Sequence, residues 1–327
     1  MTSLLHSPTR RLAGFRETHP ISPAAYTRIT WWALCLLVVI VFTGAAVRLT
    51  GSGLGCPTWP KCTATSVHSS LNTHGLIEFG NRVLTSLVSI GAIVAALGAY
   101  LVVPPRRDLR YLALSLPAGV VLQAVIGGLS VLFKLAPGWV MLHFAVSMVL
   151  LSWAFDLWWR SQRAPEEVRA VRADRGTVLM VWALFALAAV AILLGTASTA
   201  AGPHAGASGT GEFVGRLDFW GGETLRRVIH IHGAIVTALG LGTIYLWWRA
   251  RRLGLDELQK TLLLIGLLLG AQGIVGILQY QLKLPAEIVW VHVALATLTW
   301  VGFVHIRAAA GRLPEPAGSG VPRSQPE

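Results

Sequence analysis

A chain of 327 residues that is 54% hydrophobic and 13% charged, with a mean hydropathy of +0.61, is not a soluble domain. In soluble domains charged residues make up roughly a quarter of the chain. The 27 Lys and Arg outnumber the 15 Asp and Glu, for a net charge of +12, but their placement in alternate loops argues against a nucleic-acid surface.

Apolar stretches of about 20 residues, enough to cross ~30 Å of hydrocarbon, recur eight times. They fall near residues 30–49, 75–103, 109–132, 138–158, 177–196, 226–248, 261–280 and 286–306. The expected fold is therefore an all-α polytopic membrane protein with eight transmembrane helices. The first stretch begins too late, and ends without a small-residue site, to be a cleavable signal peptide. Four Lys or Arg precede it, three lie in 104–110, five in 159–175, four in 249–260 and three in the tail, 19 of the 27 in all. Eight spans place all of these on one side, and the positive-inside rule makes that side cytoplasmic, with both termini.

The first outer loop, about 50–74, carries "GCPTWPKC". Cys56 and Cys62 would lie on the oxidising face, where a disulfide persists; two free thiols are the alternative. Cys35, inside the first span, reads as a small core residue. The second span opens with "NTHGLIEFGNRVL". Charges are costly in hydrocarbon, so Glu78 and Arg82 need a site or a partner. His74, Glu78 and Asn81 share one helical stripe. Glu78 and Arg82 also have the spacing of an intrahelical ion pair.

The chain then repeats itself. "QAVIGGLSVLFKLAPGWVMLHFA" from Gln123 returns as "QGIVGILQYQLKLPAEIVWVHVA" from Gln272, at an offset of 149 for both Gln and His. "TGAAVRLTGSG" from Thr43 matches "LGTASTAAGPH" from Leu194. Two parallel four-helix repeats follow, giving two pseudosymmetric bundles. The expected units are a cytoplasmic tail (1–29), an N-terminal half (30–160), a cytoplasmic linker (161–176), a C-terminal half (177–306) and a disordered cytoplasmic tail (307–327). His232 and His292 sit at equal depth in spans six and eight, so their imidazoles can bracket one iron porphyrin. His143 takes the corresponding place in span four, and its positional partner in span two is Asn81. Arg226 and Arg227, at the outer start of span six, suit either propionate carboxylates or membrane-interface anchoring. His230 reads as structural, and His6, His19, His68, His204 and His305 as solvated or local.

"TGAAVRLTGSGLGCPTWPKC", "LIEFGNR", "MLHFA" and "WVHVA" together resemble the haem A synthase family over about residues 30–306. The resemblance implies an oxidoreductase that converts the C8 methyl of haem O to the formyl of haem A for cytochrome oxidase assembly. It implies haem b between His232 and His292, and substrate haem in the N-terminal half at His143, with His74 and Asn81 nearby. Glu78 is then catalytic, and Cys56 and Cys62 are a disulfide. Many members have His where this chain has Asn81, so His143 leaves one iron face open unless His74 approaches it. The third loop also lacks the cysteine pair of some members. The implied setting is the bacterial cell membrane, with membrane lipid, haem O synthase and the oxidase assembly machinery as partners and no nucleic acid; homo-oligomerisation is left open. The alternative is a dihaem b-type electron-transfer protein without substrate chemistry.

Overall fold

The computed structural model describes residues 16–69, 72–204, 206 and 208–314. His6 and residues 315–327 lie outside that range. The start of the 307–327 tail expected to be disordered is instead ordered, residues 307–309 continuing the last helix and Arg312 donating to the Ala170 carbonyl at 3.3 Å. Eight helices are long and apolar enough to cross a membrane: α1 (Pro23–Leu49), α2 (Thr73–Leu101), α3 (Arg107–Leu132), α4 (Pro137–Ser161), α5 (Arg175–Ala201), α6 (Thr224–Arg252), α7 (Asp256–Gln281) and α8 (Ala286–Ala309). Among the described residues there is no strand, only three isolated bridges. The chain is all-α, and it fits a multi-pass membrane protein.

The helices outrun the apolar stretches for local reasons. Pro23 at the first turn and the Ser22 hydroxyl, which accepts from the Ala25 N–H at 3.2 Å, start α1 seven residues before the apolar stretch begins. Arg249, Arg251 and Arg252 extend the end of α6, and Asp256 and Glu257 begin α7. Each charge sits at the helix end whose dipole it complements.

The repeat is visible in the boundaries. α2 and α6 both begin with Thr, 151 residues apart, and each has 29 residues. α3 and α7 each have 26, and α4 and α8 begin 149 residues apart. After α3 and after α7 the recurrent Lys-Leu takes the same left-handed turn, with φ of 49° and 56° at Lys134 and Leu135 and 63° and 64° at Lys283 and Leu284. In both copies the leucine N–H reaches back five residues at 2.7 Å, to Ser130 and to Gln279. That is the six-to-one bond of a Schellman cap.

Packing closes α1–α2–α3–α4 into one ring and α5–α6–α7–α8 into another, with α4 and α8 central to the contact between them. The Trp300 indole donates to the Met148 carbonyl at 2.8 Å, and Trp290 donates to Phe42 at 2.9 Å. Arg307 binds Asp156 at 2.5 Å across the same interface. Large apolar residues such as Leu241, Leu267 and Ile274 are exposed on the outside, as a hydrocarbon surround requires. The outer loops interlock: the Gly53 N–H donates to Gly206 at 2.8 Å, and Gly209 donates to Gly51 at 3.2 Å.

Candidate functional site

α6 and α8 carry the C-terminal histidines. His232 is the ninth residue of α6 and His292 the seventh of α8, and their ring centres lie 6.4 Å apart. Each ring is backed by a glycine on a neighbouring helix. A Cβ at Gly195 or Gly276 would stand 3.5 Å from the Cε1 of His232 or His292 respectively. Both Nδ1 atoms are buried and neither makes a hydrogen bond of full geometry, the backbone of Ala191 on α5 being the partner nearest the His232 ring.

The N-terminal half reproduces half of this. His143 is the seventh residue of α4, rests against Gly127 and has the same buried, unpartnered Nδ1. Asn81 is the ninth residue of α2, in the place of His232, but its Oδ1 accepts from the Thr43 hydroxyl at 2.8 Å. His74 belongs to a different layer. It lies seven residues before Asn81, about 10 Å nearer the outer end at 1.5 Å per residue. There its Nδ1 bonds Ser52 Oγ at 2.9 Å, and its ring presses on Gly209, where a Cβ would be 2.1 Å from Cε1.

Glu78 lies between these layers and is buried. One oxygen accepts the Cys56 N–H at 2.7 Å, and the other binds Arg82 at 2.7 Å. The ion pair that the spacing suggested is therefore present, but Arg82 does more than neutralise it. Its guanidinium also donates to the carbonyls of Cys56, Thr58 and Lys61 at 3.1–3.3 Å. The two charges together shape the loop. Cys56 and Cys62 are buried, with their sulfurs 1.94 Å apart, at bonding distance. Trp59, at the loop's tip, packs on Gly128 of α3.

Arg226 pairs with Glu223, and Arg227 lies over the Trp220 ring at 5.7 Å. His204 bonds the Leu284 carbonyl at 2.7 Å and His305 faces Glu257 at 3.3 Å, 80 and 48 residues away in sequence, so both make tertiary contacts instead of being solvated or local. The sequence showed the recurring glycine and the segment from Thr43 only as parts of the repeat, and assigned the ring-backing glycines and Thr43 no role at the histidines. Gly127 and Gly276 share the 149-residue offset of the histidines, which was the available signal.

A family model for cytochrome oxidase assembly protein matches residues 27–304. The chain belongs to that family. It is the family to which the motifs pointed, the one that contains the haem A synthases. The chain is 28% identical over 296 residues to a protohaem IX farnesyltransferase of Thermus thermophilus, covering 86% of this chain and 47% of that protein. It is 33% identical over 123 residues to haem A synthases of Listeria welshimeri and Listeria innocua, covering 36% of this chain and 40% of each. The chain thus spans less than half the length of the curated relatives it matches.

Proposed function

We propose that the protein is a haem A synthase, a membrane oxidoreductase that converts the C8 methyl of haem O to the formyl of haem A for cytochrome oxidase assembly. The observation that carries this reading is the inequality of the two halves: the His232 and His292 rings face each other at 6.4 Å in one, whereas in the other His143 keeps its place on α4 and Asn81 takes the place of His232. A pocket with two imidazoles suits a permanent cofactor. One with a single imidazole suits a substrate that enters and leaves.

In this reading the C-terminal half (177–306) holds haem b. Metal–imidazole nitrogen bonds are about 2.0–2.1 Å, and the ring centre lies about 1.1 Å beyond the nitrogen, so rings flanking one iron stand about 6.2–6.4 Å apart. The separation here is 6.4 Å. Among the described residues no group of three or more His, Cys, Asp or Glu is placed to hold a bare ion. A porphyrin would bring four nitrogens of its own, and His232 and His292 are the residues that would hold its iron. When bound, haem b supplies one-electron redox chemistry.

The N-terminal half (30–160) takes the substrate, with His143 on its iron and Asn81 on the other face. Glu78 is the catalytic carboxylate, accepting a proton from, or steadying positive charge at, the reacting peripheral carbon. Arg82 fixes its orientation. Cys56 and Cys62 form a disulfide on the oxidising face, and His74 braces the loop above the site. Arg227, which has no carboxylate partner among the described residues, is a better propionate candidate than Arg226.

The cytoplasmic placement of both termini in a bacterial cell membrane rests on the Lys/Arg distribution. Haem O synthase is the proposed partner. A protein named protohaem IX farnesyltransferase containing a segment similar to most of this chain supports that link. A dihaem electron carrier has no use for Glu78 or for an incomplete second ligand pair. Co-expression with a haem O source followed by pigment extraction tests the reading: haem A is expected, and haem b without haem A would favour the electron carrier.

A further inference from the structure

The two halves differ jointly at two positions on the face opposite the shared histidine. Asn81 precedes His232 by 151 residues, and Thr43 precedes Leu194 by the same 151. A His/Leu pair in one half is thus an Asn/Thr pair in the other. The two polar residues bond each other, Thr43 Oγ1 donating to Asn81 Oδ1 at 2.8 Å. The Thr43 hydroxyl lies farther, 3.3 Å, from the Ile40 carbonyl, so the shorter bond sets the amide's orientation. It occupies the acceptor of the carboxamide and leaves the two N–H donors of Nδ2.

A carboxamide nitrogen has no free lone pair with which to bind iron, and Asn is shorter than His. His74 is no substitute, because it is held about 10 Å nearer the outer end, between Ser52 and Gly209. Glu78 is committed to Cys56 and Arg82.

We infer that the N-terminal pocket contains a binding site for a small anionic or diatomic ligand of the substrate iron, opposite His143, with the Asn81 carboxamide as its hydrogen-bond donor and Thr43 as the residue that positions it. This rests on the haem A synthase reading and deepens it. The substrate iron is held by one imidazole, so its second axial position is open to exchange. The C-terminal iron has both axial positions filled by His232 and His292 and is closed to the same ligands.

The test uses the full chain, purified in ferric form from cells that make haem O, with cyanide as the probe. Electron paramagnetic resonance is expected to give one low-spin bis-imidazole signal and one high-spin signal, and cyanide should convert only the second. Asn81→Leu keeps the volume and removes the donor. It should retain the high-spin signal and raise the cyanide Kd about tenfold, the size of one hydrogen bond. Thr43→Val should weaken binding in the same direction by less. Asn81→His should make the second haem low-spin and inert to cyanide. A wild-type second haem that is already low-spin and cyanide-inert overturns the inference without any variant. So does an unchanged cyanide Kd in Asn81→Leu at wild-type haem content. Pigment extraction separates the two levels. Absence of any farnesylated haem from the wild type overturns the functional reading, whereas its presence with the wrong spin state overturns only the ligand site.

Discussion

The Glu78 carboxylate accepts the backbone N–H of Cys56 at 2.7 Å, so a side chain of α2 fixes the start of the Cys56–Cys62 loop. Its other oxygen holds Arg82, which gathers three carbonyls of the same loop. Hydrogen bonds to charged groups contribute about 1.5–3 kcal/mol each. Any substitution at Glu78 therefore acts on loop geometry and on chemistry together, and a useful variant has to separate them.

Glu78→Gln separates them in part. Its amide oxygen can still accept from Cys56 and the charge is gone, while the amide NH2 now facing Arg82 cannot accept from it, leaving Arg82 held by the loop carbonyls alone. Haem A per mole of haem b in membranes is expected to fall at least tenfold, a loss of about 1.4 kcal/mol of transition-state stabilisation or more, while haem b content stays constant. An unchanged ratio removes Glu78 from the chemistry. A parallel loss of both pigments would assign it to folding alone.

Replacing both Cys56 and Cys62 by Ser opens a short loop. Closing a loop of that length stabilises a fold by about 2 kcal/mol in the chain-entropy picture. Because Arg82 and Glu78 still hold the loop's carbonyls and its first amide, the variant should fold with a lowered Tm and keep its C-terminal haem b. Thermal melts followed at the haem band check this. Mass analysis of the wild type without reductant should find the two residues linked.

How much of this was legible beforehand varied with the physical signal. The eight helices were, because ~30 Å of hydrocarbon demands long apolar runs. Their ends were not, because capping by Ser22 and dipole-matched charges at Arg252 and Asp256 extend helices past the apolar stretch. His143 and His292 were legible through a fixed offset, and His232 through a depth equal to that of His292. Gly127 and Gly276 share that regularity, but their backing role was not legible, since a glycine carries no chemistry of its own. The engagement of His74 with Ser52 and Gly209 was beyond reach, because Gly209 lies 135 residues beyond His74 in the chain (209 − 74).

A pH effect is expected at the start of α5. The Thr177 hydroxyl and amide, together with Arg249, hold the Asp174 carboxyl below its ordinary range. The folded state therefore favours the ionised form. The stabilisation is present above the ordinary carboxylate range and is lost as pH falls through the lowered value. Asp174→Asn should lower Tm near neutral pH and leave it unchanged at pH values where Asp174 is already protonated. Melting curves of both proteins across that range would expose a failure of this linkage as parallel profiles.

The last expectation concerns the C-terminal pair. If His232 and His292 share one iron, each is needed for six-coordination, and His232→Ala and His292→Ala should each abolish the low-spin haem b spectrum rather than halve it. Gly276 offers an independent check that leaves both imidazoles in the chain. A Cβ there would sit 3.5 Å from the Cε1 of His292, an ordinary contact. Gly276→Ala should therefore be tolerated, apart from the helix-propensity gain of up to about 1 kcal/mol. A branched side chain extends past that contact into the ring. Gly276→Val should push His292 off its axis and cost haem b, with imidazole added in solution restoring the low-spin band if the porphyrin still binds at His232. Full haem b content with an unaltered spectrum in Gly276→Val would mean that the His292 ring faces away from the iron, and that the bracketing arrangement is wrong.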